Sequence, residues 1–274
     1  MGVLVCFHAH PDDEVFITGG VMRLAADAGH RVVLVVATDG AAGEHPDGLL
    51  APGESLAERR MRELERSAEA LGVSRLVSLG YADSGMAGTP ENLNPEAFAN
   101  TDVAAAAARL AALVEEERAD AVTIYDPNGG YGHPDHVQVH RVGVRAAEAV
   151  GHDAVYEAAM NRDHLVRLLA ANPEVAGDVR PPELDTFGLP ESELTTVVDV
   201  AGTIAAKIAA MRAHESQIGD FGPMLGMSEE QLRDAFGTEW FRRRGAATGL
   251  RETSLRLPKP AAHTEGARWN NASH

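Results

Sequence analysis

Two short stretches concentrate the side chains able to hold a cation and move a proton. His10-Pro11-Asp12-Asp13-Glu14 lies near the start of the 274-residue chain, and His133-Pro134-Asp135-His136 lies about halfway along. Imidazole and carboxylate at such short spacing, presented twice, describe a divalent metal site with a spare carboxylate beside it. That chemistry is hydrolysis by an activated water. A catalytic zinc takes three protein ligands and keeps a position for solvent. The donors in these stretches and beside them are His8, His10, Asp12, Asp13, His133, Asp135, His136 and His140. Residues three apart on a turn entering a helix face the same way, which pairs His10 with Asp13 and His133 with His136. One of the last two histidines completes a His-Asp-His set while the other stays free for proton chemistry. Spacing alone leaves open which does which. Asp12 is then the carboxylate beside the water.

Plainer readings of these residues fit less well. A structural zinc site is closed and rich in cysteine, whereas this chain has one cysteine, Cys6, inside an apolar run. Asp12, Asp13 and Glu14 in a row repel one another unless a cation or a helix N-terminus stabilises them. His8 and His140 read as supporting or packing residues. His45-Pro46-Asp47 imitates the second motif inside a Gly- and Pro-rich loop with no helix after it. His214-Glu215 lacks the second histidine of a zincin and reads as a helix cap or a pocket border. Gly129-Gly130-Tyr131-Gly132 is too short for a phosphate-binding fingerprint, and no lysine follows it.

Each motif directly follows a short apolar run, Val3 to Phe7 and Ala121 to Tyr125. Further runs at 31–36 and 76–79 read as buried strands. Residues 14–28, 54–71, 102–117 and 134–149 read as helices, with Gly72 as a stop signal and Pro134 in a first-turn position. Continuous apolar strands separated by helices predict a Rossmann-like α/β three-layer sandwich on a mostly parallel sheet. Ligands in such sheets bind beyond the carboxyl ends of the strands, where strand order reverses. Both motifs occupy carboxyl ends, of strands one and four, so direct contact across more than 120 residues is expected. Later segments are less regular: strands at 154–156 and 195–198, helices at 162–171 and 201–217, a loop at Pro181-Pro182, and no clear period over 219–250. One domain over 1–257 is expected, with a polar, mobile tail from 258 to 274. The glycosylation triplet Asn271-Ala272-Ser273 in that tail reads as chance.

The bulk numbers exclude some partners. Forty-one acids against 24 bases give a net charge of −17, which argues against nucleic acid, since phosphate binding needs clustered Lys and Arg. No apolar run approaches the ~18 residues that span a bilayer. The first apolar stretch leads straight into the His/Asp cluster without a basic n-region, so a cytoplasmic protein acting on a small molecule is expected. The oligomeric state cannot be read from the sequence.

Ala9-His10-Pro11-Asp12-Asp13-Glu14 and His133-Pro134-Asp135-His136 together resemble the hallmarks of the LmbE-like (PIG-L-type) family of metal-dependent N-deacetylases. The resemblance implies His10, Asp13 and His136 on the metal, Asp12 as general base, His133 stabilising or protonating the tetrahedral intermediate as imidazolium, and Asp135 supporting the histidines. Zinc is the implied metal, with Fe(II) or Mn(II) also suited to a His₂Asp site. Tyr125-Asp126-Pro127-Asn128-Gly129-Gly130-Tyr131-Gly132 and Asp83-Ser84-Gly85-Met86-Ala87-Gly88 are similar to the family's mycothiol-biosynthesis deacetylases. That likeness implies Tyr131 at the oxyanion and Arg60, Asp83 and Asn128 toward an N-acetylglucosamine-type sugar, possibly joined to inositol. Related amidases carry a lysine where this chain has Ile17, which favours the deacetylases. Lys207 to Gln217 is the one recognisable family segment after residue 150. The alternatives are an amidase of thiol conjugates, an N-acyl sugar deacylase of antibiotic metabolism, and a non-catalytic sugar- or metal-binding module.

Overall fold

The structure, a computed structural model, describes residues 1–171 and 187–258. The Pro181-Pro182 loop and the tail after 258, with its Asn271-Ala272-Ser273 triplet, lie outside the described residues. In chain order the elements are β1 (Val3–His8), α1 (Asp13–Ile17), α2 (Gly19–Asp27), β2 (Arg31–Thr38), α3 (Leu56–Leu71) and β3 (Arg75–Tyr81). There follow α4 (Val103–Glu117), β4 (Ala121–Tyr125), the distorted turn α5 (Gly129–Gly132), α6 (Pro134–Val150), β5 (Val155–Ala159) and α7 (Arg162–Ala171). The described chain closes with β6 (Thr196–Asp199), α8 (Ile204–Ala213), α9 (Ile218–Leu225), α10 (Glu229–Phe236) and β7 (Thr238–Arg243).

The strands form one seven-stranded sheet in the order β3-β2-β1-β4-β5-β7-β6. The first five pair in parallel, and β7 runs antiparallel to both β5 and β6. Period-two alternation explains the layers. Leu4 and Cys6 of β1 pack with Met22, Leu64, Leu71 and Met211 on one face, while Val5 and Phe7 pack with Leu110, Val139 and Val142 on the other. Strand order reverses at β1 and β4, which are direct neighbours with Leu4 opposite Ala121. The expected three-layer α/β sandwich and its switch point are therefore present. No helix among the described residues is long and apolar enough to cross a membrane.

Two helix expectations need correction. The single helix over 14–28 is two, broken at Thr18 (φ −139°). The Glu239 carboxylate on β7 accepts from the amides of Gly20 and Val21 at 2.7 and 2.8 Å, which gives α2 its own N-terminus. Lys207 stands 2.8 Å from the same carboxylate, and both side chains are buried. Likewise the helix over 201–217 is α-helical only over Ile204–Ala213, with a 3₁₀ turn on either side. The break falls at His214, whose side chain turns inward. The region over 219–250, without legible period, supplies two helices and β7.

Candidate active site

The turn after β1 sets the geometry. Asp12 adopts φ 106°, ψ −30°, a region that non-glycine residues avoid at a cost of ~1–3 kcal/mol. Surrounding groups hold it there. The Asp12 amide donates to Glu14 Oε2 at 2.8 Å. Fully buried Glu14 is itself gripped by the Ser67 hydroxyl from α3 and by His214 Nε2 at 2.7 Å. Arg60, also from α3, donates to the carbonyls of Pro11 and Gly40 and meets Asp12 Oδ1 at 2.9 Å. Space for that guanidinium depends on glycine: a Cβ on Gly40 (φ +68°) would lie 2.6 Å from Arg60 Cζ. A capping box of Ser55 with Glu58 and a left-handed Gly72 fix the ends of α3.

The second motif arrives on α6. Pro134 opens the helix, and His133 Nδ1 caps it by accepting from the Asp135 amide at 3.1 Å. His136, one turn in, has its Nδ1 3.2 Å from the Gly129 carbonyl, so that nitrogen donates and Nε2 keeps its lone pair. Gly129 (φ +62°) must be glycine here, because a Cβ would fall 2.5 Å from His136 Cβ and 2.7 Å from the Val137 nitrogen. Asp126 shapes the same turn by accepting from the Asn128 and Gly130 amides.

The two motifs meet. Asp13 bridges the histidines, with Oδ2 3.2 Å from His10 Nδ1 and Oδ1 3.3 Å from His136 Nε2. His133 packs against both, its ring centroid 4.6 Å from that of His10 and 5.1 Å from that of His136. Nitrogens of His10, His133 and His136 lie within 4.8 Å of one another, as do ligand atoms of His10, Asp83, His133 and Asp135. His136 Nε2 is buried and makes no hydrogen bond. An aimed lone pair facing a carboxylate between two imidazoles fits a divalent cation. This buried His/Asp cluster can hold a metal.

Electrostatics follow from burial and crowding. Burial alone would lower the pKa of His10, but the carboxylates of Asp13, Asp135 and Asp83 outweigh it and hold it well above 6.5. Burial pushes the Asp12 carboxyl up to about 6, with Arg60 opposing the rise and Asp13 adding to it. Burial and then the imidazoles of His10 and His136 bring His133 down to about 4. These surroundings favour neutral His133 before substrate binds, with Nδ1 accepting from the Asp135 amide and Nε2–H as the donor. Asp83 stays below the ordinary carboxylate range: against its burial stand His10 and the amides of Gly85 and Ala42.

The expected residues divide as follows. His10, Asp12, Asp13, Arg60, Asp83, Tyr131 and His133 all line one polar cleft of about 790 Å³. Asp135 is fully buried behind it, accepting from the Ser84 amide at 2.9 Å and contacting His10 Nε2 at 3.1 Å. Tyr131 is half-exposed at the rim. Asn128 is exposed and lines neither this cleft nor the neighbouring cavity. His8 is buried between Tyr125 and Thr18, and His140 contacts the Tyr125 carbonyl. His45-Pro46-Asp47 forms no helix, although His45 and Pro46 touch the cleft wall. Sequence reasoning missed the buttressing of Asp12 by Glu14, Ser67 and His214. The available signal was the His214-to-Gln217 segment, an island of likeness far from either motif.

Comparison with known proteins agrees with this geometry. The profile of the PIG-L family, described as GlcNAc-PI de-N-acetylase, matches residues 5–147, and the chain belongs to that family. It is 41% identical over 255 residues to the 1D-myo-inositol 2-acetamido-2-deoxy-alpha-D-glucopyranoside deacetylase of Acidothermus cellulolyticus, covering 87% of each chain. Its likeness to the protein of the same name from Streptomyces avermitilis is 38% over 285 residues, covering 92% of this chain and 95% of the other. Among solved structures, the N,N'-diacetylchitobiose deacetylase from Pyrococcus horikoshii superposes with a TM-score of 0.55 at 24% identity, over 88% of this chain and 82% of that one. A deacetylase of the teicoplanin biosynthesis pathway gives 0.58 at 18% identity, over 89% of this chain and all of the other. At these identities the two structures speak to the fold alone.

Proposed function

We propose that the chain removes the acetyl group from an N-acetylglucosamine-type substrate, a GlcNAc-inositol above all, by hydrolysis of the amide. The carrying observation is the convergence of His10, Asp13 and His136, of which His10 and Asp13 line the polar cleft beside Asp12. Family membership and the names of the 38–41% identical relatives support the same reading. Residues 1–257 are proposed to act as one deacetylase domain.

His10 Nδ1, Asp13 and His136 Nε2 would hold a divalent cation, with zinc preferred and Fe(II) or Mn(II) compatible with the donor set. When bound, it would polarise the amide carbonyl and acidify the water that attacks it. Asp12, held in place by Arg60 and by its amide bond to Glu14, accepts the proton from that water. His133 Nε2–H and the Tyr131 hydroxyl donate to the oxygen that gains charge, a contribution for which one donor is worth ~10²–10³ in turnover. The protonated Asp12 then returns its proton to the departing nitrogen. Asp135 keeps the His10 ring in register from behind. Arg60 and Asp83 face the cleft where hydroxyl groups of a sugar would lie, whereas Asn128 stands outside the proposed contacts.

Anaerobic purification with metal quantification, followed by a primary-amine assay on GlcNAc-inositol and N-acetylglucosamine, tests this reading. The expected result is about one equivalent of divalent metal per chain and metal-dependent amine release. Stoichiometric metal without amine from either sugar would make the protein a binding module.

A further inference from the structure

A chain of hydrogen bonds reaches the proposed metal ligand Asp13 from residues outside both motifs. His8 ends β1 and Tyr125 ends β4, the neighbouring strands at which strand order reverses. Both side chains are buried. His8 Nδ1 lies 2.8 Å from the Tyr125 hydroxyl. His8 Nε2 lies 2.7 Å from the hydroxyl of Thr18, the residue at the break between α1 and α2. The Tyr125 ring packs on His136 with centroids 4.7 Å apart, and its hydroxyl accepts from the Ala9 amide at 3.4 Å. The same hydroxyl hydrogen-bonds the Asp13 carboxylate, whose Oδ2 also accepts from the His10 amide at 2.8 Å.

The partners of both His8 nitrogens are hydroxyls rather than carboxylates, and burial disfavours a charged ring. The imidazole is therefore neutral, with one nitrogen donating and the other accepting. Two proton arrangements satisfy these contacts. In the first, Thr18 donates to His8 Nε2, His8 Nδ1–H donates to Tyr125, and Tyr125 donates to Asp13. In the second, Tyr125 donates to Nδ1, Nε2–H donates to Thr18, and Thr18 donates to the Glu14 carbonyl at 3.3 Å. That reversed arrangement turns a phenol lone pair toward a buried carboxylate. A hydrogen bond to an ionised acceptor is about twice as strong as a neutral one, so the charge on Asp13 selects the first direction. With His8 and the Ala9 amide both donating to its oxygen, Tyr125 has Asp13 as the acceptor for its own proton.

We propose that Tyr125 is a positioning residue whose hydroxyl orients the Asp13 carboxylate toward the cation, and that His8, as the Nδ1–H tautomer, fixes the direction of that bond. The proposal rests on the reading of Asp13 as a metal ligand above. Carboxylates that bind a metal are oriented by such outer hydrogen bonds. Being neutral, the phenol steers the carboxylate without competing with the cation for its charge. Thr18, placed under His8 by the helix break, supplies the proton that keeps Nε2 an acceptor.

Two measurements test this. Nitrogen NMR of the histidine side chains in the metal-free protein reads the tautomer, with His8→Leu assigning the resonance. Wild type should show His8 protonated on Nδ1, and Asp13→Ala, which removes the selecting charge, should reverse it to Nε2. Nε2–H in wild type, or no reversal in Asp13→Ala, overturns the proposal. Zinc affinity, by competition with a chromophoric chelator, is the second readout. Tyr125→Phe keeps the ring against His136 and should bind zinc ~10–100-fold more weakly. His8→Leu frees the Tyr125 hydroxyl to turn away and should lose about tenfold. His8→Asn, whose amide nitrogen replaces the Nδ1–H donor, should stay within about threefold of wild type. Adding His8→Leu to Tyr125→Phe should cost no further affinity, because both act through one hydroxyl. A role in packing alone would lower the urea midpoint of Tyr125→Phe and leave its zinc affinity unchanged, which overturns the proposal. Wild type that binds no zinc, with the tautomer still reversing in Asp13→Ala, sinks the metal-site reading and supports the hydrogen-bond chain.

Discussion

His214 donates through Nε2 to Glu14 Oε1 at 2.7 Å, joining residues 200 positions apart in a fully buried pair. Burial disfavours charge on this imidazole, but the facing Glu14 carboxylate outweighs it and raises the histidine's pKa above 6.5. The other oxygen of Glu14 accepts from the Asp12 amide, so the pair fixes the backbone beneath the proposed base. His214→Leu strands a carboxylate in the interior. It should cost about 3–5 kcal/mol of stability by urea denaturation, and a loss near zero would show that the pair does not hold this turn.

Asp12 and His136 should separate chemistry from metal binding. Asp12→Ala is expected to retain its metal while amine release falls by ~10²–10⁴. His136→Ala should lose the metal. Full occupancy in purified His136→Ala, read by elemental analysis, contradicts the proposed ligand set.

Gly129 carries the carbonyl that orients His136 and leaves no room for a side chain. Gly129→Ala must push the histidine or unwind the turn. Loss of such an outer partner weakens metal affinity by ~10–100-fold, measurable by competition with a chromophoric chelator. Unchanged affinity would mean that the Gly129 carbonyl does not set the ring.

At the amino ends of β2 and β3, the opposite end of the strands from these loops, Glu117 meets Arg31 at 2.7 Å and Arg75 at 2.6 Å. Their guanidinium groups, Arg31 foremost, hold its carboxyl down to about 2. Because the folded pKa is depressed, the stability it contributes is fully present above the unfolded value of ~4.3 and is lost as pH falls through the folded one. Thermal melts from about pH 6 down to about pH 2.5 should fall more steeply for wild type than for Glu117→Gln. Parallel curves would contradict the assignment.

Much of this was legible in the chain because it is local. Apolar strands at 3–7 and 121–125 with motifs at their ends determine a switch-point site, and Gly72 and Pro134 mark helix boundaries that lie where expected. What could not be read depends on distant partners. Thr18 breaks a helix pattern because Glu239 caps the next segment, and Glu239 itself disguises β7 by burying a charge in a strand. Glu14 reads as an ordinary first-turn acid until His214 and Ser67 close over it. Asn128 is conspicuous in the sequence yet faces outward, since Asp126 turns the loop through backbone amides rather than side chains.

The profile match ends at residue 147, by which point every proposed metal ligand and the proposed base have been made. A polypeptide stopped there would nonetheless lack the lid over Glu14 and the anchor for α2, both supplied by the last third of the described sequence. Shuffling the two halves between relatives should therefore yield chimeras with intact motifs and a slack first turn. The first turn's integrity thus rests on His214 at the end of α8 and on Glu239 of β7, both far along the chain from the motifs.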